Sequence, residues 1–84
     1  MPTISEFLGI KIVMQFIARE HNPPHIHAIY GDKKASYDIK KIKPLTGGLP
    51  KRANALVLEW IELYQDELLK IWESQEFVKL PPLE

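Results

Sequence analysis

The sequence contains no cysteine. No disulfide can staple the fold and no thiolate can hold a metal or attack a substrate, a composition that fits a reducing compartment. It also lacks any apolar run near the ~20 residues of a membrane-spanning helix, and it has no basic leader followed by an apolar stretch. A soluble, cytoplasmic protein with no membrane association is expected. Repeats and low-complexity segments are absent, as are a phosphate-loop pattern, a nucleophile elbow, a distinctive carboxylate pair and a Ser/His/Asp order. Net charge is lacking too, since eleven Lys and Arg balance eleven Asp and Glu.

That balance hides a division along the chain. Residues 1–58 carry +5 and residues 59–84 carry −5. A basic N-terminal part of this kind suits an anionic partner, nucleic acid included, although a solvated surface gives the same count. With 84 residues, 45% of them apolar, the chain is expected to form one small domain, residues 1–84. A domain of this size buries only roughly 60–65% of its unfolded surface, so a partner or a second copy would add useful stability.

Hydrophobic periodicity predicts an α+β fold, a three-stranded antiparallel β-meander packed on one long C-terminal helix. In GIKIVMQFI, Ile10, Ile12, Met14 and Phe16 alternate with polar positions and mark a strand over about 10–17. HIHAIYG marks a second strand over 25–31, and KASYDI a third over 34–39, antiparallel across the Gly31–Asp32 turn. The Pro- and Gly-rich KPLTGGLP is expected to end extended structure and lead into a helix over about 50–75. Pro50 suits the first helical turn. Ala53, Val57, Trp60, Ile61, Tyr64, Leu68, Ile71 and Trp72 share one side of that helix, and acidic residues share the other. Leu56, Leu58, Leu63 and Leu69 widen the apolar arc beyond what a small sheet covers, which points to contact with the Pro-rich tail 77–84 or with another chain.

All three histidines fall in HNPPHIH, residues 21–27. On a strand, His25 and His27 point to one face with Cβ atoms about 6.5–7 Å apart. Two imidazoles at that spacing can share a divalent metal ion, with His21 as a third nitrogen ligand, the donor set of a hydrolytic zinc site. Asp38 on the next strand is placed to be a fourth ligand or to orient an imidazole. Acid–base chemistry without metal is a second use of the same residues. Against both stands the lack of a carboxylate inside the stretch. The favoured reading is a rigid loop built by Pro23 and Pro24, in which His21, Asn22, His25, His27 and Tyr30 meet a partner and no cofactor is needed. A second candidate surface is basic. Lys51 and Arg52 at the helix start, with Lys40, Lys41 and Lys43, would attract an anion or nucleic acid.

The opening MPTISEFLGIKIVM, then HNPPHIHAIYG, then LPKRANALVLEWIELYQDELLKIWE and the closing LPPLE resemble the bacterial family called domain of unknown function 4160. The resemblance covers essentially the whole chain. Its most specific element is the block His21 to His27 followed by Tyr30–Gly31. The second is Leu49-Pro50-Lys51-Arg52 with the Leu-x-Trp and Leu-Leu-x-x-Trp pattern ending at Trp72. The resemblance implies a partner, a small protein of the domain of unknown function 2442 family encoded by the neighbouring gene, in a toxin–antitoxin-type operon. The expected function is therefore a protein-interaction module, one component of such a pair. The alternatives are a metal-dependent nuclease or hydrolase using His21, His25 and His27, and a nucleic-acid-binding regulator.

Overall fold

The computed structural model describes residues 2–15 and 23–83. Five strands, β1 (Thr3–Phe7), β2 (Ile10–Val13), β3 (His25–Tyr30), β4 (Lys33–Asp38) and β5 (Lys43–Gly47), form one antiparallel sheet in chain order. One helix, α1 (Lys51–Ser74), follows and lies over a face of the sheet. The α+β class, the antiparallel meander and the C-terminal helix agree with expectation. The strand count does not, because the sheet has five strands where three were predicted.

Both extra strands lie at the edges. β5 occupies KPLTG, the segment whose Pro and Gly were expected to end extended structure. Proline is tolerated there because an edge strand has one row of N–H groups with no ladder bond to make. A register shift between Ser36 and Tyr37 takes up the irregularity opposite Pro44. β1 is a short strand with a bulge between Thr3 and Ser5, so its alternation is broken just where a period of two would reveal it. β2 is shorter than expected, ending at Val13. The remainder of the predicted strand 10–17 includes Phe16 and Ile17, which lie outside the described residues.

The hairpin turns explain several residue choices. Leu8 and Gly9 both have positive φ between the paired residues Phe7 and Ile10, the pattern of a two-residue I′ turn. Gly31 has positive φ and Asp32 does not, between the paired Tyr30 and Lys33. That is a II′ pattern, which wants glycine first and so accounts for the order Gly-Asp in place of Asp-Gly.

Strand alternation sends Ile10, Ile12, Ile26, Ala28, Ala35 and Tyr37 toward the helix, where all are buried. Ala28 and Ala35 are direct cross-strand neighbours, and their small side chains leave room for α1, which approaches β3 more closely than any other strand. From the helix, Ala53, Val57, Trp60, Ile61, Leu68 and Ile71 are buried. Each large aliphatic or aromatic side chain so covered contributes about 1.5–3 kcal/mol relative to an exposed one. Polar ties fix the register of the two layers. Tyr37 Oη donates to Asn54 Oδ1 at 2.8 Å, and Gln65 Nε2 donates to the carbonyls of Ile39 and Lys40. α1 ends at Gln75 in the left-handed conformation, whose N–H bonds the Ile71 carbonyl. The tail then returns to the sheet. Leu80 N–H bonds the Ile4 carbonyl, and the Pro81 carbonyl accepts the indole N–H of Trp60.

Gly47, the last residue of β5, has φ of +73°, and a methyl group added there would collide with the Lys34 carbonyl oxygen. Gly48, next to it, faces open space. Gly47→Ala is expected to lower stability by about 1–3 kcal/mol, from backbone strain and the clash together. Gly48→Ala is expected to change it little. Urea denaturation midpoints of the two variants check this.

Candidate functional site

The period of two that buries Ile26 and Ala28 turns His25, His27 and Ile29 to the opposite, outer face of the sheet. There the strand register builds rows across the sheet. One runs Thr3, Val13, His27, Ser36, Thr46, with one residue from each strand. The adjacent row places His25 opposite Asp38, and Asp38 opposite Lys43. His25 and His27 therefore share a face, as the sequence implied.

The double proline acts as a set of acceptors. The Pro24 carbonyl takes the Ile39 N–H at 2.9 Å, extending the β3–β4 pairing, and the Pro23–Pro24 bond is trans. The Pro23 carbonyl lies 2.9 Å from His25 Nδ1. A carbonyl only accepts, so Nδ1 is the donor of this bond, and in the neutral ring Nε2 is the nitrogen without a proton. The two imidazoles meet edge to face with centroids 5.2 Å apart. On its other side His25 packs on the Trp72 indole at 5.1 Å. Histidine and tryptophan thus make a short aromatic stack where the end of the helix meets the start of β3.

His27 is half-buried, and its Nε2 has no exposed surface and no hydrogen-bond partner. A buried polar atom left unpaired costs about 1–3 kcal/mol. Burial first, and then the neighbouring His25 and Lys34, hold its pKa below the ordinary histidine value. His27 is therefore neutral at pH 7. Among the described residues one other buried side-chain atom is orphaned, Ser5 Oγ on β1 at the bulge, away from this group.

Ser36, His25, His27 and Asp38 are close in register, but they do not form a relay. Ser36 Oγ is hydrogen-bonded to Thr46 Oγ1 at 2.6 Å. Asp38 Oδ1 accepts the Lys41 N–H at 2.9 Å and so stabilises the β4–β5 turn. The carboxylate anticipated as a metal ligand or imidazole orienter is engaged by backbone. His21 and Asn22 lie outside the described residues. Among the described residues, no group of three His, Cys, Asp or Glu side chains is placed to hold a metal ion.

The other sequence candidates are scattered. Tyr30 closes β3 at the far end from His25 and faces the helix side, more than a third exposed. Lys40 and Lys41 lie in the β4–β5 turn and Lys43 starts β5, whereas Lys51 and Arg52 begin the helix, all of them exposed. The six-residue strand β4 separates those two groups by roughly 17 Å along the sheet. The basic residues are thus divided between opposite ends of the molecule. Leu56, Leu58 and Leu69 are partly buried against the chain's own core, and Leu63 is 62% exposed. Trp72, read from its helical spacing as part of the apolar stripe, is partly buried against the core and also packs on His25, a contact the spacing does not announce.

These features define a small α+β module with a histidine-bearing outer sheet face and, among the described residues, no helix long and apolar enough to cross a membrane. Residues 9–73 match the family described as Domain of unknown function (DUF4160), and the chain belongs to that family. No curated protein and no solved structure matches it.

Because folding depresses the pKa of His27, its neutral form stabilises the fold. That contribution is complete above the unfolded value near 6.5 and is lost as pH falls through the lower folded value. Stability is expected to decline as pH falls below about 6.5, and His27→Gln to flatten that decline. Denaturation midpoints measured across the range for both proteins check the slope.

Proposed function

We propose that the chain is a protein-interaction module, one component of a two-protein toxin–antitoxin-like pair, and that it meets its partner through the outer sheet face around His25 and His27. One observation carries this reading: an imidazole nitrogen, His27 Nε2, is buried without a partner on a sheet face that also carries Ser36, Thr46 and Asp38, with the exposed Lys43 at its edge. A partner that supplies a hydrogen-bonding group to that nitrogen, with small local adjustment, removes an existing cost. The trans-proline lead-in and the Pro23–His25 hydrogen bond order the histidines beforehand, so little conformational freedom is lost on contact. In the same row the exposed Thr46 is hydrogen-bonded to the buried Ser36, which lies directly opposite His27.

The test is co-expression with the product of the neighbouring gene, followed by purification through that product. The untagged wild-type chain is expected to co-purify. His25→Ala/His27→Ala is expected to weaken the complex about tenfold or more while leaving the circular dichroism spectrum unchanged. A complex indifferent to the double replacement overturns the assignment of this face, and failure of the two proteins to associate overturns the pairing.

A second reading rests on the bare Nε2 of His25. Donation of the other ring nitrogen to a backbone carbonyl is the arrangement that orients metal-bound histidines. His25 and His27, with His21 as the third nitrogen donor named by the sequence, would then hold zinc and activate a water for hydrolysis. Titration of untagged protein with zinc by calorimetry is expected on that reading to give one site, abolished by His25→Ala. Absence of saturable binding removes the metal reading and leaves the interaction module.

A further inference from the structure

Three of the large exposed hydrophobic side chains, Leu8, Tyr30 and Leu63, are 63%, 38% and 62% exposed. Leu8 is the more unusual because it occupies a left-handed turn position that asparagine or glycine fills at less cost. An exposed leucine held in a strained backbone is an outlier that fold stability does not explain. Leu8 and Tyr30 wall a cleft of about 270 Å³, closed on the helix side by Arg52 and Leu56. Two helical turns further on, about 10.5 Å along the same flank of α1, Leu63 projects beside a second hollow walled by Pro81 and Pro82.

The flank between these hollows has an ordered sequence of chemistry. Arg52, Leu56, Glu59, Leu63 and Glu67 recur at intervals of three and four residues and so share one stripe of the helix. Read from the N-terminus, the stripe is positive, apolar, negative, apolar, negative. Arg52, Glu59 and Glu67 are exposed, and none of them has an ion pair among the described residues. A stripe with a cation at one end, an anion at the other and leucines between them is complementary to itself reversed. An isologous, two-fold contact requires that property of a surface.

We propose that the chain pairs with a second copy of itself through this flank, with the two helices antiparallel. Leu63 of each protomer enters the Leu8–Tyr30–Leu56 cleft of the other. Setting Leu63 opposite Leu56 of the partner protomer places the two-fold axis between Glu59 and Trp60. The same register then sets Arg52 opposite Glu67 of the partner, twice over, with the helix irregularity at Tyr64 falling between Leu63 and Glu67. The axis brings the two Glu59 carboxylates near one another. That like-charge contact is a cost the pairing carries, and it makes a prediction of its own. The flank is separate from the outer sheet face, so self-pairing and capture of a different protein partner on the histidines are independent events.

Sedimentation equilibrium of the full untagged chain tests the proposal. A concentration-dependent dimer is expected for the wild type. Leu63→Ser, at an exposed position where the fold does not depend on the side chain, is expected to raise the dissociation constant about tenfold or more. Arg52→Glu and Glu67→Arg are each expected to weaken the dimer, and the double variant to restore it, since it re-forms the pairs with the signs exchanged. Glu59→Gln is expected to tighten it. A wild-type chain that stays monomeric at every concentration overturns the proposal. So does a dimer unaffected by Leu63→Ser, or one that the Arg52→Glu/Glu67→Arg exchange does not restore. Loss of a neighbouring-gene complex on Leu63→Ser, with no self-association in the wild type, would instead assign the flank to that partner.

Discussion

The structure depends on the alternation of β3. Its six residues face two different environments, Ile26 and Ala28 toward the helix, His25, His27 and Ile29 toward the outer face. The cross-strand pair Ala28–Ala35 lets the helix settle close to the sheet centre, and the buried Trp60, Ile61 and Val57 complete the interior. A slip of one residue in the pairing of β3 would bury both imidazoles under the helix and expose Ile26 and Ala28. The energy that holds the histidines outward therefore comes from the opposite side of the sheet, from burial of apolar surface that has no part in recognition.

That division explains how much could be read in advance. The helix was legible because its apolar residues return every three or four positions from Ala53 to Trp72, a pattern that does not register the non-helical backbone at Tyr64. The three central strands were legible because Ile10/Ile12, Ile26/Ala28 and Ala35/Tyr37 alternate cleanly. β1 and β5 were not. A bulge interrupts the period of β1, and β5 is exposed at all five positions, so it has no apolar face to announce it. The shared orientation of His25 and His27 followed from spacing alone. Their surroundings did not, because the Trp72 stack and the engagement of Asp38 by the Lys41 N–H are tertiary and turn geometries that no local pattern encodes.

The two surfaces with distinct chemistry are different in kind. Around His27 the polar groups are prearranged and partly committed: Ser36 to Thr46, His25 to Pro23, Asp38 to the turn. Recognition there would turn on one unpaired nitrogen. Along the helix flank the groups are uncommitted, and the fit is one of shape and alternating charge. The first rewards a specific hydrogen bond and the second a specific register. A molecule of 84 residues can support both because they use opposite sides of its two layers.

The bond between the Leu80 N–H and the Ile4 carbonyl, together with the seating of Pro81 on Trp60, has a consequence for synthesis. A ribosome delivers the five strands before the helix that covers them. The apolar face of the meander stays uncovered through the middle of translation, and the outer edge of β1 lacks its last backbone contact until the tail emerges. The nascent chain is then a partly formed sheet with one greasy side, the form in which small β-rich chains most readily aggregate or recruit chaperones.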